Sequence, residues 1–457
     1  MTALLIENVH ILTVDAEDRR YPDGFLLIED GAITGLGPMS ARPSVSPQIE
    51  RINGAGPDGS CQIAFPGFIN THTHSFQALT RGVGEGLPVW EWFSQALDLV
   101  VGHLTVEDAR LAAQVTALES LRSGCTTVVD YNYPHPQAKM ADAAIEGFRE
   151  VGVRTILARG IIDTGDVHPT IVHDTASEMA DCRRLLEKFH RTDGDLIRIW
   201  LAPYTIFSTS TQAMLASHAL AEEFVTGVTI HAATPSTLEA AQALFGTTDI
   251  VHEEGLGMLG PNLLLVHCTH PGQIEQALMA DHLVKVSHNP ASNAYLGEGA
   301  SPIVDLLARG ITVGLGTDGP ASNNNQDMLA VLKLTALIQK MLHQDPAVID
   351  ARTVLQMATQ GGAACVGWSD GIGSLEVGKR ADIVLMDPWS ASTVAFADPA
   401  VSLVYSATQE NIRTVLVDGR VMMRDRQVLG NSGTLDEMAI LRRAQQAGVN
   451  LRARSGI

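Results

Sequence analysis

The chain has 457 residues, 45% of them hydrophobic and 18% charged. That excludes a disordered or collagen-like chain and points to one large α/β domain, alone or with a smaller companion. The net charge of −20 opposes binding to nucleic acid and to anionic membranes. The five cysteines (Cys61, Cys125, Cys182, Cys268, Cys365) are scattered with no CxxC pair, which argues against a disulfide framework and fits a reducing cytoplasm. No apolar run reaches the ~18–20 residues of a membrane span, and the opening MTALLIENVHILTVD lacks the basic start of a signal peptide.

In chain order, the first sixty residues read as β-structure. Short strands are expected at Ala3–Ile6, Ile11–Val14 and Phe25–Ile28, separated by EDG and GLG turns. From Ile63 the pattern changes to buried strands alternating with helices. Strands are expected at Phe68–Thr71, Thr126–Asp130, Thr155–Gly160, Ile197–Ala202, Val228–His231, Leu263–His267, Val284–His288 and Thr312–Gly316, with helices such as Val106–Arg122 and Thr211–Glu223 between them. Parallel strands need crossover helices, and eight such units close into a (β/α)8 TIM barrel. Near Gly371, GIGSLEVGKRADIVLMD and VLVDGRVMMRD read as strands returning to the N-terminal segment. The expected division is a small β-sandwich domain from residues 1–62 plus 371–430, a catalytic barrel over 63–370, and an amphipathic C-terminal helix at Leu435–Ala453 within 431–457.

Ionisable residues gather at the predicted C-terminal strand ends, where a barrel of this kind carries its active site. The first strand ends FINTHTH, so His72 and His74 lie at i and i+2 and face the same way. His231 tips the fifth strand, His267 the sixth, His288 the seventh, and Asp318 follows the eighth. Singly, each reads as a hydrogen-bonded core residue or a loop histidine. Together they read as a metal site, because imidazole and carboxylate suit zinc, iron(II) or cobalt. His288, ahead of Asn289-Pro290, fits a turn or cap as well as a role in the site.

The motifs PGFINTHTH (66–74), SGCTTVVD (123–130), HCTH (267–270), SHNPASNAYLGEG (287–299), GLGTDGPASNNNQDM (314–328) and GSLEVGKRADIVLMD (373–387) resemble the amidohydrolase superfamily. The similarity is to its cytosine-deaminase-like branch of triazine hydrolases and adenosylhomocysteine deaminases. It implies one divalent metal held by His72, His74, His231 and Asp318, with His267 and Asp318 as catalytic groups, and a dimer or tetramer. Two-metal relatives carry a bridging lysine on strand four; IRIWLAP has none, so one ion is expected, zinc first, iron(II) or cobalt otherwise.

Two departures stand out. Deaminases of this branch place a glutamate three residues after the strand-five histidine, whereas this chain reads His231-Ala232-Ala233-Thr234. Glu239 reads as facing away. Thioadenosine deaminases carry HAPYT where this chain has Leu201-Ala202-Pro203-Tyr204-Thr205. The substrate wall is expected to include Gln77, Trp90, Trp92, Tyr131, Tyr204, Thr234 and His288. The expected activity is metal-dependent hydrolysis of a C–N bond in a small nitrogen-rich compound, with deamination of a heterocycle ahead of hydrolysis of a urea, carbamate or chlorotriazine. A catalytically dead structural relative is the non-enzymatic alternative; it should have lost ligands, and all four are present.

Overall fold

The computed structural model describes residues 3–56 and 60–457. Eight parallel strands close into a barrel: Phe68–Thr73, Cys125–Asn132, Arg154–Ile161, Ile197–Pro203, Val228–Ala232, Leu263–His267, Lys285–His288 and Val313–Leu315. Each expected strand is found, with ends shifted by a few residues. The eighth closes on the first through Leu315 opposite Asn70. These strands are covered on both faces, which is why they read as unbroken apolar runs. The helix Val106–Arg122 begins at a capping box in which Thr105 and Asp108 bond each other's backbone N–H.

Both termini contribute to one nine-stranded sheet beside the barrel. Strand Ile383–Met386 pairs antiparallel with Gln62–Pro66, which pairs parallel with the N-terminal strand. The sheet curls strongly. In a flat sheet, the strands at Arg20–Glu29 and Ile412–Val417 would stand roughly 19 Å apart, four spacings of ~4.8 Å. Instead, a Cβ on Gly419 would meet the Cα of Gly31 at 2.5 Å. The curl encloses a small apolar core that includes Ile6, Ile28, Ile383 and Leu416.

The N-terminal residues depart from expectation. Ala3–Ile6 and Ile11–Val14 do not make two strands; a single strand runs Ala3–Leu12. Asn8 takes φ 58°, and the register slips on either side of Val9. Asparagine tolerates the left-handed region, so the chain bulges and continues. The EDG turn forms the tight hairpin between Arg20–Glu29 and Ala32–Pro38, with Asp30 at φ 47° and Gly31 at φ 82°.

Two contacts fasten the layers. Arg154, at the start of the third barrel strand, makes a two-pronged bond to Asp382 (3.1 and 3.2 Å), with both side chains 3% exposed. The last helix, Glu437–Ser455, lies against Val106–Arg122, where Arg122 grips Glu437 at 2.7 and 2.8 Å. No helix among the described residues is long and apolar enough to cross a membrane.

Candidate active site

The barrel brings His72, His74, His231, His267 and Asp318 to its C-terminal end. Ring nitrogens of His72, His74 and His231 lie within 4.8 Å of one another, and a nitrogen or oxygen from each of His72, His267 and Asp318 does so as well. Asp318 Oδ1 stands 3.2 Å from His72 Nε2 and 3.4 Å from His74 Nε2. All five residues are buried, with exposures from 0 to 9%.

The surroundings fix the rings in the form a cation needs. His74 Nδ1 donates to the Tyr131 carbonyl and His231 Nδ1 to the Tyr204 carbonyl, each at 2.8 Å. Each bond leaves Nε2 for a ligand, the usual arrangement around a bound metal. His72 Nε2 approaches Asp318, yet neither of its ring nitrogens has a hydrogen-bond partner. Buried polar atoms that converge in this way suit a shared cation.

Burial lowers the pKa of His72, holds His231 well below the ordinary imidazole range, and brings His74 down to about 3. Burial alone would raise Asp318; the neighbouring histidines, His72 foremost, outweigh it and hold the carboxylate ionised. Neutral imidazoles with an ionised carboxylate are the ligand states that metal binding requires.

Two of these residues adopt uncommon backbone conformations. His267 has φ 73° and Asp318 φ 57°. Asp318 is held by its N–H bond to the His72 carbonyl (3.0 Å), by Gln326 Nε2 on its own carbonyl (2.8 Å), and by the Gly319 N–H on its carboxylate (2.7 Å). Such strain persists where the surroundings over-determine it, and active sites are where it collects. His267 Nδ1 bonds Asn293 Oδ1 at 2.8 Å, which leaves Nε2 for a reacting group.

Above this floor lies a cavity. Its wall includes Gln77, Trp92, Tyr204, Thr234 and His267, together with Phe93, Phe207, Ser236 and Glu298. Gln77 is pinned by the Ala321 N–H on its Oε1 at 3.1 Å.

The structure does not bring every expected residue into this wall. Trp90 is 41% exposed, borders a neighbouring cavity, and donates Nε1–H to Glu239 at 3.2 Å. Tyr131 lies wholly inside the barrel, where its hydroxyl reaches the carbonyls of Pro203, Tyr204 and Thr229. His288 is enclosed beneath the site, with both ring nitrogens unpartnered and its pKa brought to about 3 by burial. Leu201 is buried in the apolar layer shared with Leu186 and Met214 of the helices, outside the cavity wall.

Thr234 is the N-cap of helix Pro235–Phe245. Its hydroxyl accepts from the Thr237 N–H at 3.3 Å and meets Ser236 Oγ at 2.9 Å. Sequence reasoning passed over Asn293, Asp130 and Glu298. Asp130, pushed up to about 6 by burial, holds Ser75 N and Oγ directly after His74. Asn293 and Glu298 both lie in SNAYLGEG, and the signal that could have found them is that segment's place just after the seventh strand.

Fold, strand-end ligands and aromatic cavity together define a metal-dependent hydrolase. The sequence model of the amidohydrolase family matches residues 63–422, and the chain belongs to that family, whose hydrolysis of C–N bonds it shares. It is 34% identical to a 5-methylthioadenosine/S-adenosylhomocysteine deaminase of Desulforudis audaxviator, over 98% of this chain and 99% of the relative. Among solved structures, a zinc-bound adenosine deaminase from Xanthomonas campestris superimposes with a TM-score of 0.90 at 27% identity, covering 98% of each chain. A mutant atrazine chlorohydrolase from Arthrobacter aurescens TC1, complexed with zinc and atraton, reaches 0.91 at 27% identity, covering 97% of this chain and 100% of that one. Zinc in both neighbours agrees with the ligand set.

Proposed function

We propose that this enzyme deaminates an aminated nitrogen heterocycle, an adenine-bearing nucleoside foremost. The carrying observation is a histidine–carboxylate metal site at the floor of a cavity walled by Trp92, Phe93, Tyr204 and Phe207, flat partners for a heterocyclic ring. A second cavity shares Phe93, Tyr204 and Phe207 with the first, which offers a place for a sugar and its 5′ substituent. The deaminase relative supports the same class of substrate. Leucine at position 201 does not oppose a nucleoside, because that side chain lies outside the wall.

His72, His74, His231 and Asp318 would hold the ion. The metal supplies an activated water, with hydroxide available near neutral pH. Asp318 accepts the proton that water gives up and returns it to the departing amino group. His267, oriented by Asn293, hydrogen-bonds the oxygen that adds to the ring carbon. The buried, aromatic wall excludes bulk water and strengthens these polar contacts.

Thr234, standing where deaminases carry glutamate, favours a second reading: hydrolysis of a urea, carbamate or chlorotriazine, substrates that need less protonation. The experiment is a panel assay with the zinc-loaded protein on aminopurine nucleosides, aminopyrimidines, pterins, aminotriazines, chlorotriazines and phenylureas. Ammonia from a nucleoside supports deamination. Chloride or aniline release without ammonia supports the second reading.

A further inference from the structure

The seventh barrel strand ends at His288 and leads through the short helix Pro290–Tyr295 into Leu296-Gly297-Glu298-Gly299. Gly297 (φ 70°) and Gly299 (φ 88°) both take the left-handed conformation. A side chain on Gly299 would also strike the His270 ring, at 2.7 Å. The flanking glycines thus let this loop turn its one carboxylate into the cavity wall.

Glu298 is 7% exposed. Among the described residues it forms no ion pair with a lysine or arginine. Its carboxylate accepts a side-chain hydrogen bond from Ser236 Oγ at 3.4 Å, and Ser236 in turn meets Thr234 Oγ1 at 2.9 Å. The carboxyl therefore shares the wall with the very residue that stands where deaminases carry their acid, and with His267 and Asp318.

We propose that Glu298 is the carboxylic acid that passes protons to and from the substrate ring, replacing from the loop after strand seven the glutamate absent at Thr234. This rests on the deaminase reading above. When hydroxide adds to the amino-bearing carbon, the C=N electron pair moves onto the ring nitrogen, which takes the Glu298 proton. Asp318 passes the water's proton to the amino group, and ammonia leaves with the C–N electron pair. The carbonyl forms as the added oxygen loses its hydrogen to the Glu298 carboxylate, restoring the acid. Water and the amine are thereby converted to a keto heterocycle and ammonia, with no net change in Glu298.

The environment suits this task. Burial raises the Glu298 pKa, Asp318 adds to the rise, and His267 opposes it. His231, His74 and Tyr204 are the other titratable groups in the same wall, and His270 lies beside Gly299. A raised carboxyl pKa keeps the proton available nearer neutral pH, as a general acid requires.

The test uses zinc-loaded full-length protein and whichever amino-heterocycle the wild type turns over. Glu298→Gln preserves shape but cannot donate. It should lower kcat by roughly 10²–10⁴-fold, the usual share of a general acid, with KM and zinc content little changed. The loss of rate with rising pH that reports the acid should vanish from its kcat profile. Glu298→Asp keeps the acid, so it should retain that limb and exceed the glutamine variant by at least about tenfold. A Glu298→Gln enzyme within about threefold of wild type, or one changed in KM alone, would overturn the proposal. So would an aspartate variant as slow as the glutamine one. If the wild type releases ammonia from no amino-heterocycle, it is the deaminase reading that fails instead.

Discussion

Replacing Thr234 with valine separates its two conceivable roles. The structure makes Thr234 a helix N-cap, 2% exposed, with its hydroxyl receiving the Thr237 N–H and contacting Ser236. Valine fills the same volume, so no cavity opens and the cost is the lost cap. N-caps contribute about 0.5–2 kcal/mol. Spread over an unfolding entropy of roughly 2.1 cal/mol/K per residue for 457 residues, a loss of about 1 kcal/mol moves Tm by only about 1 °C, so melting is a poor assay. Amide exchange is a better one. About 1 kcal/mol of local opening speeds exchange in the first turn of helix Pro235–Phe245 about fivefold, with distant helices unaffected. Turnover should fall by no more than roughly tenfold, or ~1.4 kcal/mol of barrier. A drop of ~10²–10⁴-fold at unchanged zinc content would refute the reasoning and put Thr234 in the proton path. In Thr234→Glu the new carboxyl would crowd Glu298, and two close carboxyls cannot both ionise easily, so turnover should fall rather than rise.

Other outcomes are as specific. His72→Ala should lose most of its zinc and its activity, while His288→Ala, outside both ligand groupings, should keep about one ion per chain by elemental analysis. Arg154→Ala strands Asp382 as an unpaired buried charge and should cost about 3–5 kcal/mol in denaturant unfolding; a loss under about 1 kcal/mol would show that the pair does not fasten barrel to sheet. Glu253 is fully buried, its carboxyl oxygens have no partner, and burial, reinforced by Asp249, raises its pKa well above the ordinary range. The folded chain thus keeps a proton that the unfolded chain releases, so this contribution is complete below the unfolded pKa and declines as pH rises above it. Glu253→Gln should flatten that decline, seen as a urea-midpoint advantage that grows as pH rises above the ordinary glutamate range.

The barrel and the metal floor were legible because their signals are local. Buried parallel strands read as apolar runs, and the ligands interrupt those runs at the tips, as in FINTHTH and LLLVH. The wall was less legible, because it is built from loops whose course depends on distant contacts. Trp90 and Trp92 are two residues apart, yet the irregular helical turns from Val89 to Val101 put only Trp92 against the main cavity. Thr234-Pro235-Ser236-Thr237 carries an N-cap signal, a threonine ahead of proline at the first helical position. Set beside the HxxE pattern, the same run reads as a missing acid. Glu298 has no periodicity to announce it; only the folded loop shows that it shares a wall with Thr234. The largely polar stretch Glu7-Asn8-Val9-His10 hid the continuity of the first strand, since it reads as a break between two apolar runs.

The most direct measurement is ammonia release from adenosine and its 5′-modified analogues, by protein whose zinc has been counted, before and after chelation. The account predicts about one zinc per chain, one ammonia for each purine converted to its keto form, loss of activity on chelation, and recovery when zinc is restored. Ammonia release that persists in metal-free protein, or a zinc-loaded enzyme that frees chloride from triazines and no ammonia from any amino-heterocycle, would contradict it.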